Sequence, residues 1–182
     1  MLPEAMLPEA MLTVMAGGGL LAVLAVLAAW DLRYGQLPDL LTLPLLLTGV
    51  ALAAVVGSPV TLRDSLTGSA AGYLGLAGVA WGYRQWAQRP GLGGGDIKLL
   101  AAIGAWTGWS PLPEVVALAA ATTLLVAVAQ ARWQGRTLSR AQALPFGPGL
   151  AAAGGMVWID RLDSAHGLWP TLEPGALFFP GG

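Results

Sequence analysis

The chain has 182 residues, 55 % of them hydrophobic and 10 % charged, with a net charge of −1 and no cysteine. A water-facing domain carries about 25 % charged residues, so this composition points to lipid as the solvent. The charge balance argues against nucleic acid as a partner, the missing cysteines exclude disulfides, thiolate zinc sites and a cysteine nucleophile, and the single histidine, His166, cannot build a histidine metal cluster.

Residues 1–10 read MLPEA twice and have no basic n-region, unlike a secretory signal. They are taken as a leader into the first helix. A spanning helix needs about 20 mostly apolar residues. Met11 to Trp30 supplies one, and Leu40 to Val56 a second, where Pro44 predicts a kink. Leu66 to Gly82 is a third; Gly68/Gly72 and Gly78/Gly82 have the four-residue spacing that lets helices approach closely. Ile97 to Trp109 is a shorter fourth, with Gly104/Gly108 at the same spacing. Val115 to Gln130 is the fifth and Pro148 to Ile159 a short, glycine-rich sixth. Residues 161–182 read as a tail without regular structure. The expected fold is an all-α polytopic membrane protein of about six transmembrane helices, with residues 11–160 as its membrane domain.

The basic residues orient such a chain. Arg33 falls in the first loop, Arg84 and Arg89 in the third with Lys98 just beyond, and Arg132, Arg136 and Arg140 in the fifth. Only Arg63 and Arg161 fall on the other side. Loops one, three and five are therefore expected to be cytoplasmic, with both termini outside. On that topology three carboxylates share the cytoplasmic face: Asp31 ends helix one, Asp39 opens helix two and Asp96 opens helix four.

Each of the three can be read structurally. Asp39 follows Pro38 and precedes an apolar run, which suits an N-cap. Asp96 could cap its helix too, favoured by the dipole, but a cap does not require Gly93, Gly94 and Gly95 before it. Three adjacent glycines make a backbone that bends freely and that another chain can lie against. Asp31 sits at a helix C-terminus, where the dipole disfavours an anion, and could pair with Arg33 or reach water. Functionally, Asp31 and Asp96 suit a dyad for peptide hydrolysis. Two carboxylates sharing one proton supply both the base that activates water and the acid that protonates the carbonyl. No metal and no cofactor is needed. Lys98 could tune the pair or serve as a snorkelling anchor.

Three blocks carry a resemblance: "DLRYGQLPDLLTLPLLLTGV" from Asp31, "GGGDIKLLAAIGAW" from Gly93 and "LPFGPGLAAAGG" from Leu144. In order and spacing they resemble the signature blocks of type IV prepilin peptidases, which belong to the GxGD intramembrane aspartyl proteases. The resemblance implies removal of the basic leader from a prepilin or pseudopilin, on the cytoplasmic side, after a glycine and ahead of the substrate's hydrophobic helix. It places the catalytic aspartates on Asp31 and Asp96, gives Asp39 no acid or base role, and implies lipid and the substrate helix as partners. The "PFGP" block, Pro145 to Pro148, matches the loop ahead of the family's last helix. Many members also carry a cysteine-containing N-terminal domain linked to methylation with S-adenosylmethionine; the chain resembles the stand-alone forms, so methyl transfer is not expected.

Other chemistries fit less well. Gly68-Ser69 offers a serine nucleophile, but His166 lies past the last span, on the outer side. GLGGGD lacks the lysine and preceding strand of a phosphate loop. A non-catalytic scaffold or small transporter would account for the glycine-rich helices equally well, but a transporter more often places its acids near the midplane, and a scaffold has no need for Asp31 and Asp96 to approach each other.

Overall fold

A computed structural model of the chain describes residues 7–54, 58–88, 92–135 and 145–166. They form six α-helices and, among the described residues, no strand: α1 Leu7–Tyr34, α2 Asp39–Ala53, α3 Leu62–Ala87, α4 Gly94–Thr107, α5 Leu112–Trp133 and α6 Gly147–His166. α1, from Met11, and α5 are each long and apolar enough to cross a membrane, and α2 is a shorter apolar helix. With broad apolar side chains exposed along α1, α2, α3 and α5, the protein is an all-α polytopic membrane protein.

All six expected helices are present, and their ends differ from expectation for local reasons. α3 begins four residues before Leu66 because Thr61 caps it. The Thr61 hydroxyl accepts from the Asp64 N–H at 3.1 Å and donates to the Asp64 carboxylate at 2.8 Å. α4 stops at Thr107, short of Trp109, because Gly108 turns out of the helix at φ 79°. α2 runs on through Pro44. Residues 55–57, where its expected end lies, are outside the described residues. α6 continues past Ile159 to His166, so Arg161–His166 are helical and not part of an irregular tail. The rest of that tail, 167–182, and residues 1–6 of the leader repeat lie outside the described residues.

The centre of the bundle is α4. Every residue from Leu99 to Thr107 is buried, and the helix packs most extensively on α3, then on α2 and α6. Its contact with α3 is made by glycine. A Cβ placed on Gly68 would run into the Gly104 carbonyl, one on Gly104 into the backbone of Gly68, and one on Gly72 would lie 2.7 Å from the Leu100 carbonyl. Two of the four-residue glycine pairs singled out in the sequence thus bear on this seam, whereas nothing lies within 4 Å of Gly78 or Gly82. The Ser65 hydroxyl reinforces the seam, donating to the Ala105 carbonyl at 2.7 Å. On the opposite side the Trp106 indole N–H donates to the Leu45 carbonyl of α2 at 2.7 Å. Its ring meets Trp158 of α6 edge to face, with centroids 5.2 Å apart.

The register of the glycine seam fixes levels. Gly68 lies against Gly104 and Gly72 against Leu100, which places Leu76 opposite Asp96 in an antiparallel pair. Leu76 is the last buried residue of α3. At 1.5 Å per residue the helix then runs on for about 16 Å, past the first turn of α4. That overhang carries exposed Trp81, Tyr83 and Trp86. The ends of α1 and the starts of α2, α4 and α6, by contrast, gather beside the two aspartates.

Candidate active site

Asp31 lies one turn from the end of α1 and is buried, 7 % exposed. Gly35, at φ 63°, closes that helix, its N–H donating to the Asp31 carbonyl at 2.8 Å; a left-handed residue at this place is the usual way for a helix to stop. The dipole of α1 disfavours an acid there, and among the described residues Arg33 does not pair with it. The remedy comes from α6. The backbone N–H of Gly147, first residue of that helix, donates to the Asp31 carboxylate. A helix N-terminus brings free N–H groups and a positive dipole end to an anion. The approach is so close that a Cβ on Gly147 would sit 2.7 Å from Asp31 Oδ2.

The "PFGP" block acquires a role in this way. Phe146 packs against the hydrophobic core, and its carbonyl accepts from the Leu150 N–H at 3.1 Å to start α6. Pro148 lies in the first turn, where a missing N–H costs nothing. Between them Gly147 is pressed against the acid. Sequence reasoning left Gly147 out of the site; a glycine fixed between an apolar anchor and a helix-starting proline was the available signal.

Asp96 is half-buried in the first turn of α4. Gly93 is the N-cap, in extended conformation at φ −71°, and the Asp96 carboxylate accepts from the Gly93 N–H. Asp96 is therefore the third helical residue reaching back to its cap, half of a capping box. The local cap orients the side chain.

The structure brings Asp31 and Asp96 together. Asp31 lies near enough for its charge to be felt at the Asp96 carboxyl, although the two belong to separate helices. The three glycines before Asp96 serve different ends. Gly93 caps. Gly95 makes room for Leu37, whose Cβ would lie 2.7 Å from a Cβ on that residue. Gly94 is exposed, with nothing within 4 Å of its Cβ position. None of the three needs a left-handed backbone.

Asp39 is not an N-cap, contrary to the reading of its position. Pro38 holds that place and no side chain caps α2. The Asp39 carboxylate instead takes Lys98 Nζ, at 2.7 Å and 2.6 Å to its two oxygens. Lys98 thus turns to Asp39. An open groove lined by Thr61, Arg63, Asp64, Thr67, Ala71 and Trp109 lies at the other end of α3, away from the acids.

Comparison with known proteins identifies the family. The profile of the type IV leader peptidase family matches residues 18–128, which contain both Asp31 and Asp96. The chain is 44 % identical over 144 residues to "Leader peptidase HopD" of Escherichia coli, a match covering 79 % of this chain and 92 % of that protein. It is 44 % identical over 140 residues to a "Prepilin leader peptidase/N-methyltransferase" of Burkholderia pseudomallei strain 1026b, covering 77 % of this chain and 44 % of the relative. A protein of the same description from Dickeya chrysanthemi is 44 % identical over 135 residues, 74 % of this chain and 46 % of its own length. The chain spans less than half the length of these last two relatives, and no solved structure matches it. A matching profile over most of the chain, and a relative aligned almost end to end, place the chain in the type IV leader peptidase family.

Proposed function

We propose that the chain is an intramembrane aspartyl endopeptidase that removes the leader from type IV prepilin-like or pseudopilin precursors. The observation that carries the reading is the meeting of Asp31 and Asp96, each steadied by one backbone N–H. One carboxylate takes a proton from water while the other gives a proton to the scissile carbonyl oxygen; after the tetrahedral intermediate forms, the amine leaves with a proton from the pair. The relatives' printed descriptions support the substrate class. A scaffold would have no reason to hold two carboxylates near each other, since like charges drawn together destabilise a fold.

In this reading the protein resides in the inner membrane. Loops one, three and five face the cytoplasm, both termini lie outside, and the bilayer and the substrate helix are its partners. The basic leader lies by the acids, and an extended stretch of substrate passes over exposed Gly94. The test is leader cleavage of a co-expressed prepilin in membranes, followed by the shift of the pilin band. A chain that leaves every such precursor uncut, while correctly inserted, would end the proposal.

Two variants probe the surroundings of the dyad. Gly94→Val puts a branched side chain into space where its Cβ meets nothing within 4 Å, so processing is expected to fall by at least tenfold with the protein still folded; normal cleavage would remove Gly94 from the substrate path. Gly147→Ala forces a methyl group against the Asp31 carboxylate. Since displacement of a reacting group by about 1 Å can cost roughly 100-fold, a loss of ten- to a hundredfold in cleavage rate is expected, with a melting temperature close to that of the unaltered protein.

A further inference from the structure

The two aspartates sit on helices that share little packing. α1 lies chiefly on α6, whereas α4 lies on α3, α2 and α6. What joins them by the shortest route is the turn after α1. Gly35 ends α1, and within the next four residues the chain grips the first turn of α4 twice. Leu37, 8 % exposed, seats its Cβ where Gly95 has no side chain. Asp39 then holds Lys98 Nζ at 2.6 Å and 2.7 Å. Gly95 and Lys98 bracket Asp96.

Resting on the dyad reading above, we infer that the Asp39–Lys98 ion pair is a positioning clamp that sets the separation of the Asp31 and Asp96 carboxylates. Neither residue touches substrate in this role. Both are partly exposed, 37 % for the Lys98 side chain and 53 % for that of Asp39, and a pair so exposed adds little to stability. Its effect is geometric. Asp31 is tied to Asp39 through one short turn, and Asp96 to Lys98 through half a turn of helix. A fixed Asp39–Lys98 distance therefore closes a loop that contains both acids. Proton sharing requires a hydrogen-bond separation between the carboxylates, so a small opening of that loop lowers the rate without unfolding the bundle.

The experiment uses the full chain, purified and reconstituted, with a prepilin as substrate. Asp39→Leu and Lys98→Leu are each expected to lower kcat by roughly ten- to a hundredfold, with KM changed less than twofold. Asp39→Asn, whose amide oxygen still accepts from Lys98, is expected to lose only about threefold of kcat, since one hydrogen bond of the pair survives. The charge-swapped double variant, Asp39→Lys with Lys98→Asp, is expected to recover at least tenfold over the weaker single. A KM rise with intact kcat would make these residues substrate contacts and overturn the clamp, as would a swap no better than the singles. An activity-independent readout guards against misfolding. The chain has no cysteine of its own, so Asp31→Cys with Asp96→Cys can be crosslinked; adding Lys98→Leu is expected to slow disulfide formation at least fivefold, and an unchanged rate would overturn the clamp. Loss of cleavage in the unaltered protein would strike the dyad reading instead, because the crosslinking result does not depend on it.

Discussion

Asp31→Asn and Asp96→Asn are each expected to stop prepilin processing, with the cleavage rate down by roughly a thousandfold or more, near the upper end of what general acid–base catalysis supplies. The substitution separates chemistry from architecture. Asparagine keeps the size of aspartate, and its amide oxygen can still accept from the Gly147 N–H at position 31 or the Gly93 N–H at position 96. What it loses is the ability to bind and release the shared proton. On the proposed dyad reading, two carboxyls that share a proton titrate as one unit, so either single change should be nearly as damaging as both together. Immunoblots of a co-expressed prepilin, normalised to enzyme present in the membrane, measure this. Unimpaired cleavage by either variant would dissolve the dyad.

Gly104→Ala should show the largest effect on stability. The new methyl group has nowhere to go: the atoms in its path are backbone atoms of Gly68 and the Ser69 nitrogen, the last at 3.1 Å. Backbone of a packed helix cannot rotate aside as a side chain can, so α3 must move away from α4 and loosen the Ser65–Ala105 bond with it. Overpacking of this kind costs about 1–3 kcal/mol, more where the neighbour is rigid, and we expect about 3 kcal/mol here. Thermal unfolding in detergent measures it. Gly78→Ala has the same local spacing but open surroundings, and it should not destabilise but gain up to about 1 kcal/mol from helix propensity. Equal behaviour of the two variants would show that spacing alone, not the seam, sets the cost.

The fold was readable in the sequence where a pattern has one meaning. Twenty-residue apolar runs became helices, and the glycine spacing at 68/72 and at 104 became the α3–α4 seam. The same spacing at 78/82 had no partner, because a spacing says that a helix can be approached, not that anything approaches it. Helix ends were misjudged where polar atoms extend a helix beyond its apolar stretch, as Thr61 and Asp64 do for α3. In the site, the two aspartates stood out because a cap alone did not require the glycines before Asp96 and a helix C-terminus disfavours Asp31. Their supports did not, because those come from remote parts of the chain. The sequence gives Asp31 an unfavourable helix end and cannot announce that Gly147 will offset it. Asp39 beside Pro38 looks like a cap, and only the fold reveals that Lys98 takes its carboxylate. Gly95, read as conformational freedom, is in fact a seat for Leu37.

The overhang of α3 divides the indoles into optical classes. Trp106 and Trp158 are enclosed in the core, 4 % and 1 % exposed, and their edge-to-face contact leaves no route for a lipid chain. Trp81 and Trp86 stand on the free length of the helix, 67 % and 85 % exposed. Brominated acyl chains should therefore quench the second pair and spare the first. The bromine position that quenches Trp81 and Trp86 most strongly gives the depth of that helix tip, and the rise per residue then gives the distance along the helix from the tip back to Leu76, the level of Asp96.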